Sequence, residues 1–260
     1  MSTAFLADIR GTIMPARDGS HGPLPPLLLS MTLVTGLVDA FSFLVLGHVF
    51  VANMTGNVVF LGFALAGAPG FSAAASLAAL ASFALGALLG GMLGSRHRDH
   101  RGRLHSSAAA MQALFLAAAA ILAVTSNNPG AAGWRYALIA ALGISMGIQN
   151  ASARKLAVPD LTTTVLTLTI TGMAADSHLA GGGGSKAGRR MLAVATMLVG
   201  ALLGATLIRH THAYYPLVIA LAVISLGAAV THTLGRPNPA WVHASGPAPP
   251  VATSAPRSST

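Results

Sequence analysis

Residues 36–62 read GLVDAFSFLVLGHVFVANMTGNVVFLG. The stretch begins inside an apolar run, 26–47, long enough to cross a bilayer core, which takes about 20 apolar residues. Asp39 sits in the middle of that run. The run breaks at Gly47-His48, and a second apolar segment, 50–67, carries the polar turn Asn53-Met-Thr-Gly-Asn57 at its head. A carboxylate or a broken helix at membrane depth survives only where protein or a wet cavity surrounds it. This stretch therefore predicts helices that enclose a polar interior.

Outward from it, six more apolar segments follow at 73–94, 107–126, 133–151, 161–179, 188–208 and 214–234. They are separated by Gly67-Ala-Pro-Gly70, the basic run Ser95–Arg103, Asn127-Asn-Pro-Gly130, Arg154-Lys155 with Pro159-Asp160, Gly181–Arg190 and His210–Tyr215. The chain is 53% hydrophobic and 8% charged. A soluble domain carries roughly a quarter charged residues, so these 260 residues cannot cover a water-facing surface. The fold class expected is all-α, a polytopic transmembrane bundle. The N-terminal tail is 1–23, two transmembrane halves occupy 24–126 and 133–234, and a Pro-, Ser- and Ala-rich tail, 235–260, is expected to be disordered. The entry Pro23–Pro26 leads into a run too long for a signal-peptide core, so the first span is expected to stay uncleaved.

The net charge of +9 sits in short loops and not on a basic face, which excludes nucleic acid as a partner and points to topogenic charge. With no Cys and no Glu, thiolate chemistry, disulfides and paired glutamates are absent. No cofactor or metal motif is present. Gly181–Gly184 with Lys186 lacks the phosphate-loop spacing, and the loop histidines His97, His100 and His105 lie among arginines that oppose a cation.

Charge also selects a topology. If all eight segments cross, Lys and Arg divide seven to eight between the two sides. If segments 50–67 and 161–179 enter and return on one side, thirteen of the fifteen lie inside, leaving only Arg135 and Arg209 outside. The positive-inside bias favours this arrangement of six spans and two re-entrant segments, with both termini cytoplasmic in a bacterial inner membrane. Trp134, Tyr136, Tyr214 and Tyr215 then form an outer aromatic belt.

The two halves resemble each other. Gly36-Leu-Val-Asp39-Ala40 matches Gly147-Ile-Gln-Asn150-Ala151, and Gly86-Ala-Leu-Leu-Gly90 recurs as Gly200-Ala-Leu-Leu-Gly204. Thr55-Gly-Asn-Val58 corresponds to Thr162-Thr-Thr-Val165. With three spans each, the halves have opposite orientation, a design in which transport sites form near the midplane. The repeated pairs Arg96-His97 and Arg209-His210 fall on opposite sides under this arrangement, a mild argument against it.

The stretch 36–62 with its Met54-Thr-Gly-Asn57 block, and the second-half stretch MGIQNASARKL…TTTVLTLTITG, resemble the YoaK-like bacterial membrane proteins, the DUF1275 family. The likeness runs from Leu27 to Leu234. It implies an inner-membrane protein of about six spans, and no reaction.

Candidate pathway residues are Asp39, Asn53, Thr55 and Asn57 in the first half, with Gln149, Asn150, Thr163 and Thr164 as second-half counterparts. Asp39 lies on a polar and small helix face with Thr32, Thr35, Gly36 and Ser42. It serves as a proton- or cation-linked group, or as a structural acceptor for Asn53 or Asn57 where segment 50–67 folds back. Helix capping is the competing reading of Asn53, Thr55 and Asn57. The small-residue rows Ser82-Gly86-Gly90-Gly94 and Thr196-Gly200-Gly204 pack helices, either half to half or between protomers of a homo-oligomer. The function expected is a small-solute transporter or channel, not an enzyme. A non-transporting scaffold or sensor is the alternative, and a lipid-processing enzyme pairing Asp39 with His48 is the second.

Overall fold

A computed structural model describes residues 3–16, 19, 21–126, 128–159, 161, 166–176, 181, 186–236 and 239–243. In chain order its helices are α1 (Thr3–Ile13), α2 (Leu24–Val45), α3 (Met54–Leu65), α4 (Ala73–Arg96), α5 (Arg101–Thr125), α6 (Ala132–Leu156), α7 (Leu166–Ala175), α8 (Ala187–His210) and α9 (Tyr215–Gly235). Among the described residues there is no strand.

Five of these helices, α2, α4, α5, α8 and α9, are long and apolar enough to cross a membrane. Their outer faces carry exposed apolar side chains such as Leu85, Leu88, Leu114, Ile121, Leu198, Leu202 and Leu226, a surface suited to lipid and not to water. α6 is as long, at 25 residues, but less apolar because it carries Ser145, Gln149, Asn150 and Ser152. It can afford them because its second half is enclosed by α2, α4 and α5.

Contacts at the helix ends fix the directions. At one end, His21 before α2 meets Arg101 at the start of α5, and Arg101 donates to the carbonyl of Leu156 at the end of α6. At the same end Gly188 of α8 lies against Phe5 and Asp8 of α1, and Trp241 beyond α9 lies against Gly22 and Gly102. At the other end, Gly130 before α6 faces the carbonyl of Val45, Gly47 faces Arg135, and His48 hydrogen-bonds the Gly70 carbonyl at 3.1 Å. The six long helices α2, α4, α5, α6, α8 and α9 thus alternate in direction. Of the thirteen Lys and Arg among the described residues, eleven lie at the first end, and only Arg135 and Arg209 at the second.

The two short helices do not cross. α3, at 12 residues, is about 18 Å long, against a hydrocarbon core of about 30 Å. The chain leaves α2, dips back to the level of Asp39, and returns along α3 to Gly70 beside His48. An aromatic cluster of Phe43, Phe50, Phe60, Phe63 and Phe71 pins it there, with ring centroids of Phe43 and Phe50 5.0 Å apart and of Phe60 and Phe71 5.2 Å apart. The described part of α7 is 10 residues, and its C-terminal end returns to the opposite, basic end, where Arg190 bonds Asp176 at 2.7 Å. α3 and α7 therefore enter from opposite ends.

The halves interlock reciprocally. α2 packs on α8, and α6, its counterpart, packs on α4. A Cβ at Gly36 would stand 2.4 Å from the Met197 carbonyl oxygen, and one at Gly147 would stand 2.2 Å from that of Phe83. In return, Gly86 abuts the backbone of Ile144 and Gly200 that of Leu33. Each of these glycine contacts in one half thus has its counterpart in the other. The glycine rows join half to half, as backbones in lipid approach closely only where side chains are small. Arg96-His97 and Arg209-His210 stand at opposite ends, as inversion requires.

Two tail segments are built into the bundle. α1 packs against α8, with Arg189 donating to Thr12 at 3.2 Å. Within the stretch expected to be disordered, Ala240–Val242 form a 3-10 turn whose Trp241 and Val242 are buried.

Candidate functional site

Asp39 lies six residues before the end of α2, about 9 Å below the aromatic end. It is 4% exposed, and both its oxygens are occupied. Oδ1 accepts from the backbone N–H of Val51 at 3.1 Å and of Ala52 at 2.9 Å, and Oδ2 accepts from the side-chain amide of Asn53. The carboxylate thus satisfies the backbone donors that the break before α3 leaves unpaired, which in lipid would cost several kcal/mol each.

Asn57, in the first turns of α3, completes the clamp. Its Oδ1 accepts from Phe50 N–H at 2.9 Å and its Nδ2 donates to the Phe50 carbonyl at 2.6 Å. Asn53 occupies the cap position of α3 but makes no side-chain capping bond, because its amide is turned to Asp39. Thr55 is exposed on α3 and takes no part. His48 is exposed and bound to Gly70, so the Asp39–His48 pair expected of an enzyme is not formed.

A second polar centre lies deeper. Gln149 of α6 donates to Thr35 Oγ1 at 2.8 Å and to the Met31 carbonyl at 3.2 Å, both on α2. Its Oε1 accepts from Gln112 Nε2 of α5 at 2.6 Å. Ser145 donates to the Gln112 backbone carbonyl at 3.3 Å. Thr35 and Gln112 are near the middles of their helices, and Thr35, Gln112, Ser145 and Gln149 are all fully buried. One atom, Gln112 Oε1, has no partner. An amide oxygen left unpaired in a protein interior costs about 1–3 kcal/mol, and such an orphan merits a functional explanation.

Of the expected pathway residues, Asp39, Asn53 and Asn57 are therefore brought together, and Gln149 joins a different centre. Asn150, the counterpart of Asp39, is half-buried and donates to the Met146 carbonyl of its own helix at 2.9 Å. Thr163 and Thr164 lie outside the described residues. Gln112 was not among the candidates, although a single amide in the otherwise apolar run 107–126 is a signal that could have marked it.

Six alternating long helices in two inverted halves, two re-entrant helices and a polar interior define a polytopic α-helical membrane protein of internal-repeat architecture. The chain belongs to the family described as "Protein of unknown function (DUF1275)", whose model matches residues 27–230. It is similar to the UPF0700 transmembrane protein YoaK of Bacillus subtilis (strain 168), with 35% identity over 151 residues. That alignment covers 58% of this chain and 65% of YoaK, so the chain spans just under two thirds of that relative. No solved structure matches it.

Proposed function

We propose that this protein is a carrier for a small polar solute, working by alternating access between its inverted halves, with the basic end in the bacterial cytoplasm. The observation that carries the reading is the placement of the Thr35–Gln149–Gln112 centre. It lies near the middles of α2 and α5, where α2 meets its second-half equivalent α6. Solute sites in inverted-repeat transporters occupy this position. The unpartnered Gln112 Oε1 supplies an acceptor for a solute donor. The excess of Lys and Arg at one end supports the orientation.

In this reading the present form is occluded, and Asp39 is the latch on α3. As a carboxylate it accepts three hydrogen bonds; protonation converts one oxygen into a donor facing other donors and loosens the latch. Proton uptake and movement of α3 are then linked.

The competing reading is a non-transporting scaffold. Its support is specific: Asp39 is dry, with both oxygens paired, which is what a purely structural acid requires.

The cysteine-free chain permits a direct test. Thr35→Cys and Ser145→Cys would be treated in oriented membranes with an impermeant thiol reagent from each side. Gly67→Cys and Gly181→Cys, at exposed positions near opposite ends, serve as controls. Labelling of both buried positions, slowly and from both sides, is the outcome expected of alternating access. If the loop controls react and the buried positions stay unlabelled from either side, the carrier reading falls and the scaffold stands.

A further inference from the structure

At the basic end, the first turns of α5 and the last turn of α9 enclose a crevice of about 490 Å³ that the proposed carrier pathway does not use. Five basic side chains among the described residues line it: His100 and Arg103 from the α5 side, His232 and Arg236 from α9, and His243 from beyond the 3-10 turn. Among the described residues no acidic side chain lines it. Neither arginine is paired with a carboxylate among the described residues, where the only ion pair, Arg190 with Asp176, lies elsewhere. His100 and His243 stand with ring centroids 6.3 Å apart.

Topogenic bias explains the sign of these charges but not their convergence. A helix C-terminus attracts cations, so His232 and Arg236 have a local reason to be where they are. A helix N-terminus repels them, so Arg103 and the capping His100 do not. Burial and the neighbouring Arg103 charge push the pKa of His100 down, as expected where like charges are held together without a counter-ion. The lining residue Thr231 bonds inward through Oγ1 to His105 Nδ1 at 3.0 Å, and the Nε2 of His105, buried behind the crevice, has no partner.

We propose that this crevice binds a phosphate group, held by Arg103 and Arg236 and flanked by the three histidines. Guanidinium groups match the geometry and charge of phosphate, and desolvated phosphate requires several donors at once. The depth, level with the ends of α5 and α9, suits either a phospholipid headgroup or a soluble phosphate from the cytoplasm.

Trp241 reports on the site, because it packs against Gly102 beside the crevice, whereas Trp134 lies at the other end. The full chain carrying Trp134→Phe would be titrated in neutral detergent with inorganic phosphate in one arm and short-chain phosphatidic acid in the other. A saturable change in Trp241 fluorescence is expected in at least one arm. Saturation by both ligands assigns a site open to soluble phosphate; saturation by the lipid alone assigns the headgroup as the source. Arg103→Gln with Arg236→Gln, both exposed positions, should weaken the apparent affinity at least about tenfold. Arg96→Gln with Lys155→Gln, at the same end outside the crevice, should leave it unchanged. No saturable change in either arm, or equal weakening by the two double variants, overturns the proposal.

Discussion

Asn57 binds Phe50 as a neighbouring strand would, accepting from its N–H at 2.9 Å and donating to its carbonyl at 2.6 Å. One buried side chain thereby satisfies the backbone of an extended segment at membrane depth, where water cannot. Replacement by Ala orphans both Phe50 groups. Asn57→Ala should destabilise the protein by about 2–4 kcal/mol, measured as a lowered unfolding midpoint in detergent.

Asp39 and its amide isostere separate structure from proton linkage. In Asp39→Asn one oxygen still accepts from Val51 and Ala52, and Asn53 can turn its own oxygen toward the new amide. Stability should fall by no more than about 1 kcal/mol, whereas Asp39→Leu should lose about 3 or more by leaving three donors unpaired. If Asp39→Asn unfolds as readily as Asp39→Leu, the latch geometry is not what holds α3.

The reciprocal glycine crossings predict matched effects. Gly36→Ala and Gly147→Ala drive a methyl into the backbone of α8 and α4 respectively. Both should lower the unfolding midpoint, and by similar amounts. Gly62→Ala and Gly91→Ala, where nothing lies within 4 Å of the added carbon, should be neutral or slightly stabilising.

Gln112 and Gln149 should behave as a coupled pair. Each single change to Leu strands a buried amide, while the double change removes both. The double-mutant cycle should give a coupling of about 0.5–3 kcal/mol; strict additivity would mean the bond between them contributes nothing.

At the basic end His21 Nδ1 faces both terminal nitrogens of Arg101 at 3.3 Å. Burial first, then the Arg101 charge, lowers its pKa from the ordinary 6.5. The unfolded chain therefore binds the proton more readily, and the contribution present above about pH 6.5 is lost as the pH falls below it. His21→Gln should flatten that part of the stability–pH curve, read from unfolding midpoints between pH 5 and 8.

Sequence alone determined the membrane environment, because 53% hydrophobic residues with 8% charged admit no soluble surface. It favoured the inverted topology through the loop charges, since re-entrant segments at 50–67 and 161–179 gather Lys and Arg at one end where eight full crossings do not. It also marked Asp39, Asn53 and Asn57, because polar groups in an apolar run have to be satisfied inside the protein. What it left open was their partners. Whether Asn53 caps its own helix or turns to Asp39 depends on how far the chain folds back after Gly47, a distance that no local pattern encodes. The meeting of Thr35, Gln112 and Gln149, and of the two sides of the basic crevice, joins helices distant in sequence. Only the close glycine crossings of α2 on α8 and of α6 on α4 set the rotation that turns these side chains toward one another.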